Sequence, residues 1–276
     1  MSGRPRPERI RLFVSDVDGT IVTPSPQKRV SDVTIAAVER LRAAGCAVSI
    51  VSSRPPRGML HVARPLGLDL FAGFNGSSIV RGDLSAVEEH FVPEQAARIA
   101  AAELARRGID VWVFSNGEWY VTDPSGAYVS HEEHTVGFAP LVVPSFAGHL
   151  GRVGKLVGSS KDFDGLARAE ADLQGLLGDN ASARRSQLYY LDVTHPTADK
   201  GFAVAALARH FGVPLSEVAV IGDMANDLPM FDVGALAIAM GNGTDEVKAK
   251  ADYITLSNAE DGVAHAIESV IMPLVG

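Results

Sequence analysis

The stretch Ile10–Thr20, IRLFVSDVDGT, constrains the fold more than any other part of the chain. Leu12-Phe13-Val14 is a short apolar run closed by polar residues, which suits a strand buried on both faces, as in a parallel sheet. Such a strand delivers Asp16 and Asp18 to its C-terminal end, the edge at which open α/β sheets bind ligands. Alternation points both carboxylates the same way. Two like charges in one place are costly unless a cation or a shared proton offsets them. Mg²⁺, a hard ion that takes oxygen ligands, resolves the conflict most simply. Gly19 lets the backbone turn sharply, and Thr20 can cap or hydrogen-bond nearby backbone. Taken alone, DxDGT is also what a turn that merely ends a strand looks like. A calcium loop of the EF-hand kind fits poorly, because Ile21-Val22 follow where further oxygen ligands are needed.

Composition narrows the class. At 276 residues the chain holds one large domain or two ordinary ones. It is 46% hydrophobic and 21% charged, as soluble globular proteins are. A formal net charge of -8 argues against a general nucleic-acid binder. The single cysteine, Cys46, excludes an internal disulfide and a cysteine-based zinc site, and its apolar surroundings predict a buried, inert thiol. The first residues lack the apolar core of a signal peptide, and no stretch is long enough to span a bilayer, so a cytoplasmic protein without membrane contact is expected.

The chain then alternates strand and helix. Ser31 caps a predicted helix to about Ala44, and a strand over Ala47–Val51 ends in Ser52-Ser53-Arg54. That order implies a right-handed parallel crossover. A helix is expected from Pro56 to Pro65, then an apolar run Leu70–Gly73 leading to Asn75-Gly76. From about residue 82 the pattern changes. Glu94–Arg107 reads as a helix, and two short apolar runs flank Asn116-Gly117, a strong hairpin signal. Residues 124–150 read as irregular, Val153–Ser159 as a strand, Asp162–Leu177 as a helix, and Leu188–Val193 as a strand. The α/β rhythm resumes with a helix over Asp199–Phe211 and a buried strand, Val218–Ile221, leading into Gly222-Asp223. The expectation is a Rossmann-like, doubly wound, mostly parallel α/β core (residues 1–81 and 193–276) with an inserted α+β domain over 82–192.

Asp16/Asp18, Ser52, Lys200 and Asp223 with Asn226 and Asp227 then fall at strand ends or at a helix start. Each is weak alone: Ser52 can be a turn hydroxyl, Lys200 a solvated helix residue, and GDMAND a polar turn. Together, in this order, they fit phosphoryl transfer. A phosphate monoester dianion repels an anionic nucleophile, so the site must supply positive charge, here Mg²⁺ and Lys200. Asp16 is the candidate nucleophile. Asp18 is the candidate general acid for the leaving alcohol and then base for water. Ser52 would hydrogen-bond a phosphoryl oxygen. Asp223 would ligate Mg²⁺, with Asn226 and Asp227 fixing the surrounding shell or a ligand water.

These residues resemble the motifs of the haloacid dehalogenase superfamily, in its Cof-like sugar-phosphatase branch. Asp16-Val17-Asp18-Gly19-Thr20 is similar to the first motif, Ser49-Ile50-Val51-Ser52 to the second, Asp199-Lys200-Gly201 to the third, and Gly222-Asp223-Met224-Ala225-Asn226-Asp227 to the fourth. Asn75-Gly76 and Ala239-Met240-Gly241-Asn242-Gly243 also resemble this branch. The resemblance implies that the Asp18 backbone carbonyl joins Asp16 and Asp223 as a Mg²⁺ ligand. It also implies that the insert is a type-IIB cap, and that Arg54 and Asn75 line the substrate side. Ser52-Ser53-Arg54 stands where the family has Thr-Gly-Arg: the hydroxyl is kept, while Ser53 alters the approach of substrate.

Within the insert, His131-Glu132-Glu133-His134 is read as an exposed loop rather than a metal site. Arg184-Arg185 is read as a solvated strand, His195 as a satisfied loop histidine, and Trp112, Trp119 and Tyr120 as packing rather than a sugar platform. The leading expectation is Mg²⁺-dependent hydrolysis of a small phosphorylated metabolite, a sugar or polyol phosphate, by a monomer or homodimer. A phosphomutase or phosphotransferase would use the same core residues, and a non-catalytic phospho-metabolite sensor is the alternative outside catalysis.

Overall fold

The computed structural model describes residues 6–24 and 26–276. Its contacts divide into two compact units. One holds the chain through Ser53, Met59–Val87 and Asp199–Gly276; the other holds Arg54–Gly58 and Glu88–Ala198.

The first unit is built on an eight-stranded sheet. Its strands are β1 (Leu12–Asp16), β2 (Ala47–Val51), β3 (Leu70–Gly73), β4 (Ser78–Arg81), β5 (Ala86–Glu89), β12 (Val218–Gly222), β13 (Leu236–Ala239) and β14 (Tyr253–Ile254). Their order is β14-β13-β12-β1-β2-β3-β4-β5. Pairing is parallel from β14 to β3, and β3 and β4 pair antiparallel. The chain leaves β1 towards β2 on one side and returns as β12 on the other, so β1 sits at the point where strand order reverses. Ligand sites form outside the carboxyl ends of strands at such a switch.

β1 and β12 are buried along their whole length, which is why both read as unbroken apolar runs. Phe13, Val48 and Ile50 point to one face and pack with Val38 and Leu41 of α1 (Asp32–Ala43), Val62 of the short α2 (Leu60–Ala63), and Val263 of α9 (Gly262–Ala266). Leu12, Val14 and Val220 point to the other face. They pack with Val204 and Leu207 of α6 (Lys200–Phe211), Phe231 of α7 (Leu228–Val233) and Val247 of α8 (Asp245–Lys250). The expected Ser31 cap is in place, its Oγ accepting from the Thr34 N–H (3.1 Å), and Asp199, read as the first residue of its helix, caps it instead, Oδ1 accepting from the Phe202 N–H (2.7 Å).

The second unit carries a six-stranded mixed sheet, order β10-β11-β9-β6-β7-β8. The strands are β6 (Asp110–Ser115), β7 (Glu118–Val121), β8 (Leu141–Val142), β9 (Val153–Ser159), β10 (Ser182–Gln187) and β11 (Tyr190–Thr194). The β6–β7 hairpin turns at Asn116 and Gly117, both at positive φ, as the Asn-Gly pair requires. One face packs on α3 (Glu94–Arg106) and α5 (Phe163–Leu177). The doubly wound α/β core with a second, cap-forming sheet is the fold class the sequence predicts.

Three elements differ from expectation. The helix expected over Pro56–Pro65 is a helical turn at Pro56–Met59 followed only by α2. Residues 124–150 are not irregular throughout: they hold α4 (Val129–Val136) and β8. The HEEH run is therefore helical, with His131, Glu133 and His134 exposed and Glu132 buried. α4 escapes pattern reading because its inward stripe, Val129-Glu132-Val136, has a carboxyl in the middle. Among the described residues no helix is long and apolar enough to cross a membrane.

Candidate active site

β1 places Asp16 at its last position, and β12 ends at Gly222, so Asp223 follows immediately. A parallel register sets Val14 beside Val220 and Ser15 beside Ile221, which aligns the two strand ends. Asp16, Asp223 and Asp227 each offer a carboxylate oxygen within 4.8 Å of the others, and all three residues are buried. Lys200, the first residue of α6, is 2% exposed and reaches into this cluster. Its Nζ donates to Asp16 Oδ1 (2.5 Å) and to Asp227 Oδ1.

Asp227 is fully engaged. Its other oxygen, Oδ2, accepts from the backbone N–H groups of Asp223 (2.8 Å) and Met224 (2.9 Å). It therefore shapes the loop after β12 and orients Lys200. Gly222 admits this packing, because a Cβ there would lie 2.5 Å from Asp227 Oδ2. Asp223 is held through Oδ1 by the Thr20 hydroxyl (2.9 Å). Gly19 has φ +80°, and a Cβ on it would sit 2.3 Å from Asp223 Oδ2, so glycine is required both by conformation and by space. Asn242 Nδ2 donates to the Gly19 carbonyl (2.8 Å) and fixes the same turn.

The electrostatics follow from three buried carboxylates facing one ammonium. Burial, with Asp227 and Asp223 nearby, pushes the Asp16 carboxyl well above the usual carboxylate range, although Lys200 opposes the shift. Burial and the Asp227 charge raise Asp223 to about 6 against the stabilising Thr20 hydrogen bond. Burial works against the Lys200 ammonium, but Asp16 and Asp227 outweigh it and hold its pKa above that of an ordinary lysine. The set is short of positive charge and offers only oxygen donors. Those are the properties of a hard-cation site.

The other residues singled out in the sequence are placed as follows. Asp18 lies in the turn after β1, partly exposed, with Lys28 Nζ 3.3 Å from its Oδ1. Ser52 is buried beyond the end of β2, whose Val51 pairs with Asp16. The Ser52 carbonyl accepts from the Asn75 N–H (2.8 Å), which ties the Asn75 turn to the Ser52 loop. Asn75 is left-handed (φ 54°), and its buried Oδ1 has no hydrogen-bond partner. Ser53 is half-buried and Asn226 exposed. Arg54 is buried and groups with the second unit. Pattern reading missed Lys28 and the specific bond from Thr20 to Asp223. Thr20 carried a signal, being the last residue of DxDGT; Lys28 carried none.

A sequence model of the haloacid dehalogenase-like hydrolases matches residues 13–267. The chain belongs to that family. A putative phosphatase of Haemophilus influenzae is 27% identical over 263 residues, covering 94% of this chain and 97% of that protein. A 5-amino-6-(5-phospho-D-ribitylamino)uracil phosphatase of Bacillus subtilis is 25% identical over 289 residues, covering 95% and 98%. Among solved structures, a haloacid dehalogenase-like hydrolase from Bacteroides thetaiotaomicron has a TM-score of 0.88 at 28% identity, covering 95% of this chain and 100% of that one. The resemblance read from the four motifs and the expectation of an enzyme both stand: the chain is a haloacid dehalogenase-like hydrolase.

Proposed function

We propose that this hydrolase is a Mg²⁺-dependent phosphatase that cleaves a small sugar or polyol phosphate through an aspartyl-phosphate on Asp16. One observation carries the reading. Three buried carboxylates and a buried lysine converge at the switch point of the core sheet, with an excess of negative charge that a bound cation relieves. The family supports the reaction class, and the Bacillus relative is named for a phosphorylated ribitylamino-uracil.

Asp16 and Asp223, with the Asp18 carbonyl, would hold the Mg²⁺; the ion would supply the positive charge that keeps Asp16 ionised beside a phosphate dianion. Asp16 attacks phosphorus, forming an Asp16–phosphate bond as the bond to the leaving oxygen breaks. Asp18 gives its proton to that oxygen, releasing the alcohol. Water then attacks phosphorus, Asp18 takes its proton, and inorganic phosphate leaves Asp16. Ser52 and Lys200 hold phosphoryl oxygens, and Lys200 also fixes Asp16. Asp227 takes no part in the bonds that change; it positions Lys200 and the Asp223 loop. Asn75, with an acceptor that the protein leaves unused, contacts the substrate together with Ser53, Arg54 and Asn226. The insert is the cap that selects the leaving group, and the enzyme works in the cytoplasm as a monomer or homodimer.

The test is phosphate release from a panel of phosphorylated metabolites, with Mg²⁺ and with EDTA. Mg²⁺-dependent release is expected. Release that continues undiminished in EDTA sinks the cation's role, and transfer to an added sugar with little free phosphate replaces hydrolysis with phosphotransfer.

A further inference from the structure

The turn Val17–Ile21 carries Asp18, whose carbonyl is one of the ligands proposed for Mg²⁺. Where that carbonyl points depends on the backbone around it, Asp18 at ψ 124° and Gly19 at φ 80°. Neither conformation is helical, and glycine has no intrinsic preference that would hold it. The turn's own closing bond, from the Val22 N–H to the Val17 carbonyl, is 3.3 Å long and therefore weak. Its shape is set by what grips it from outside.

One grip is the Thr20 hydroxyl on Asp223. Two more are side-chain amides. Asn242 Nδ2 donates to the Gly19 carbonyl (2.8 Å), and Asn258 Nδ2 to the Val22 carbonyl (3.0 Å). The two asparagines are joined, since the Asn258 N–H donates to Asn242 Oδ1 (2.9 Å). Asn242 is exposed, yet both ends of its amide are committed, at the cost of side-chain freedom that a solvated residue keeps. The pair forms a brace along the turn from Gly19 to Val22.

The brace stands on a close-packed base. The Gly241 N–H donates to the Leu256 carbonyl and the Thr255 N–H to the Ala239 carbonyl, both at 2.9 Å, which laces the loop after β13 to the loop after β14. A Cβ on Gly241 would lie 2.8 Å from the Leu256 backbone, so the two loops leave no room between them. The loop after β13 also reaches a second ligand-bearing residue. The Thr244 N–H donates to the Asp223 carbonyl (3.0 Å), and a Cβ on Gly243 would lie 3.2 Å from that oxygen. One loop, residues 240–244, thus grips both the turn that carries the Asp18 carbonyl and the residue that carries the Asp223 carboxylate. Mg²⁺ demands near-ideal placement of its oxygens, so the hold on these two segments bears on affinity.

We propose that Asn242 and Asn258 are positioning residues for the metal: they hold the Asp18 carbonyl in place against Asp223 and so set how tightly Mg²⁺ binds. The proposal rests on the metal site of the phosphatase reading above.

The experiment reads metal affinity without turnover. Free Mn²⁺, which takes the same oxygen ligands, is followed by its electron paramagnetic resonance signal, and Mg²⁺ by competition. Thermal melts in EDTA show that each variant is folded. Asn242→Asp keeps the acceptor for the Asn258 N–H and removes the donor to Gly19, while adding a negative charge. Charge alone would tighten cation binding; loss of the brace loosens it, so the sign of the change separates the two. Binding of both ions is expected to weaken about fivefold, with kcat within about twofold of wild type once Mg²⁺ saturates. Unchanged or tighter binding in folded Asn242→Asp overturns the proposal, as does a fall in kcat that saturating Mg²⁺ does not restore. Should Asn242→Asp not fold, Asn258→Ala, which removes the bond to Val22, takes its place: binding weakened about threefold supports the brace, and wild-type affinity overturns it. Wild type that binds both ions but releases no phosphate from any substrate overturns the phosphatase and leaves the brace to stand on the binding result; wild type that binds neither ion overturns both.

Discussion

The catalytic edge of the core and the charged face of the cap both bury ionisable groups, but they do so differently. At the core edge, Asp16, Asp223 and Asp227 outnumber Lys200, and Asp227 has both oxygens committed to partners. On the cap face, Lys155 and Arg54 lie near Asp192 and Glu132, and Trp112, Ser159 and Asp192 keep unused hydrogen-bonding atoms. The first arrangement is well bonded and unbalanced in charge; the second is underbonded. An excess of like charge and a set of unmet hydrogen bonds are different kinds of incompleteness, and only the first points to a cation.

Breaking the core side should have the largest effect. Asp16→Asn keeps shape and hydrogen bonding but removes the nucleophile, and phosphate release is expected to fall by at least about 10³-fold with an unchanged melting curve. Near-normal turnover in that variant would remove the proposed intermediate. Asp227→Ala strips Lys200 of a buried partner and two backbone N–H groups of their acceptor. A loss of about 3–5 kcal/mol is expected from urea unfolding, although Asp227 touches no reacting atom.

Charge imbalance also sets a pH dependence. The Asp223 pKa of about 6 lies above its ordinary value of 3.8, so the folded protein holds this proton more tightly than the unfolded chain. Stability from this group is therefore full below about pH 4 and lost as pH rises through about 6, by about 2–3 kcal/mol. Denaturant curves in EDTA between these limits check the slope, and Mg²⁺ should flatten it, since bound cation replaces the proton. A stability that rises over the same window without metal would contradict the charge imbalance. The smallest effect belongs to the cap. Burial already favours the protonated form of Glu132, and Glu132→Gln imitates that form. Unfolding free energy should change by no more than about 1 kcal/mol, and a loss comparable to Asp227→Ala would show that Glu132 is ionised in the folded protein.

Much of the core was legible because its strands are buried on both faces. Leu12-Phe13-Val14 and Val218–Ile221 read as apolar runs wherever they lie, and Ser31 announces a helix start by cap chemistry. The cap resisted. β10, SARRSQ, is a polar edge strand, with a single inward residue, Ala183, fully buried among exposed neighbours. α4 carries an acid on its buried stripe. Both break the rule that periodic apolar residues mark inward faces, and both lie beside the polar face of the cap sheet or at its edge.

The sequence by itself determined the family, the order of elements and the acidic, hydroxyl and lysyl groups available for phosphoryl transfer, because local patterning and cap residues act over a few positions. Only the tertiary structure decided what those groups do to one another. It brought Lys200 between Asp16 and Asp227, residues 184 and 27 positions away. It turned Thr20 onto Asp223 and bound Asp227 to Lys200 and to the backbone of the loop after β12. It also showed that Glu132 is buried with Lys155 and Asp192 rather than solvated on a loop. Burial and the distances between charges are properties of chain segments far apart in sequence, and they set the pKa values and the unmet hydrogen bonds on which function depends.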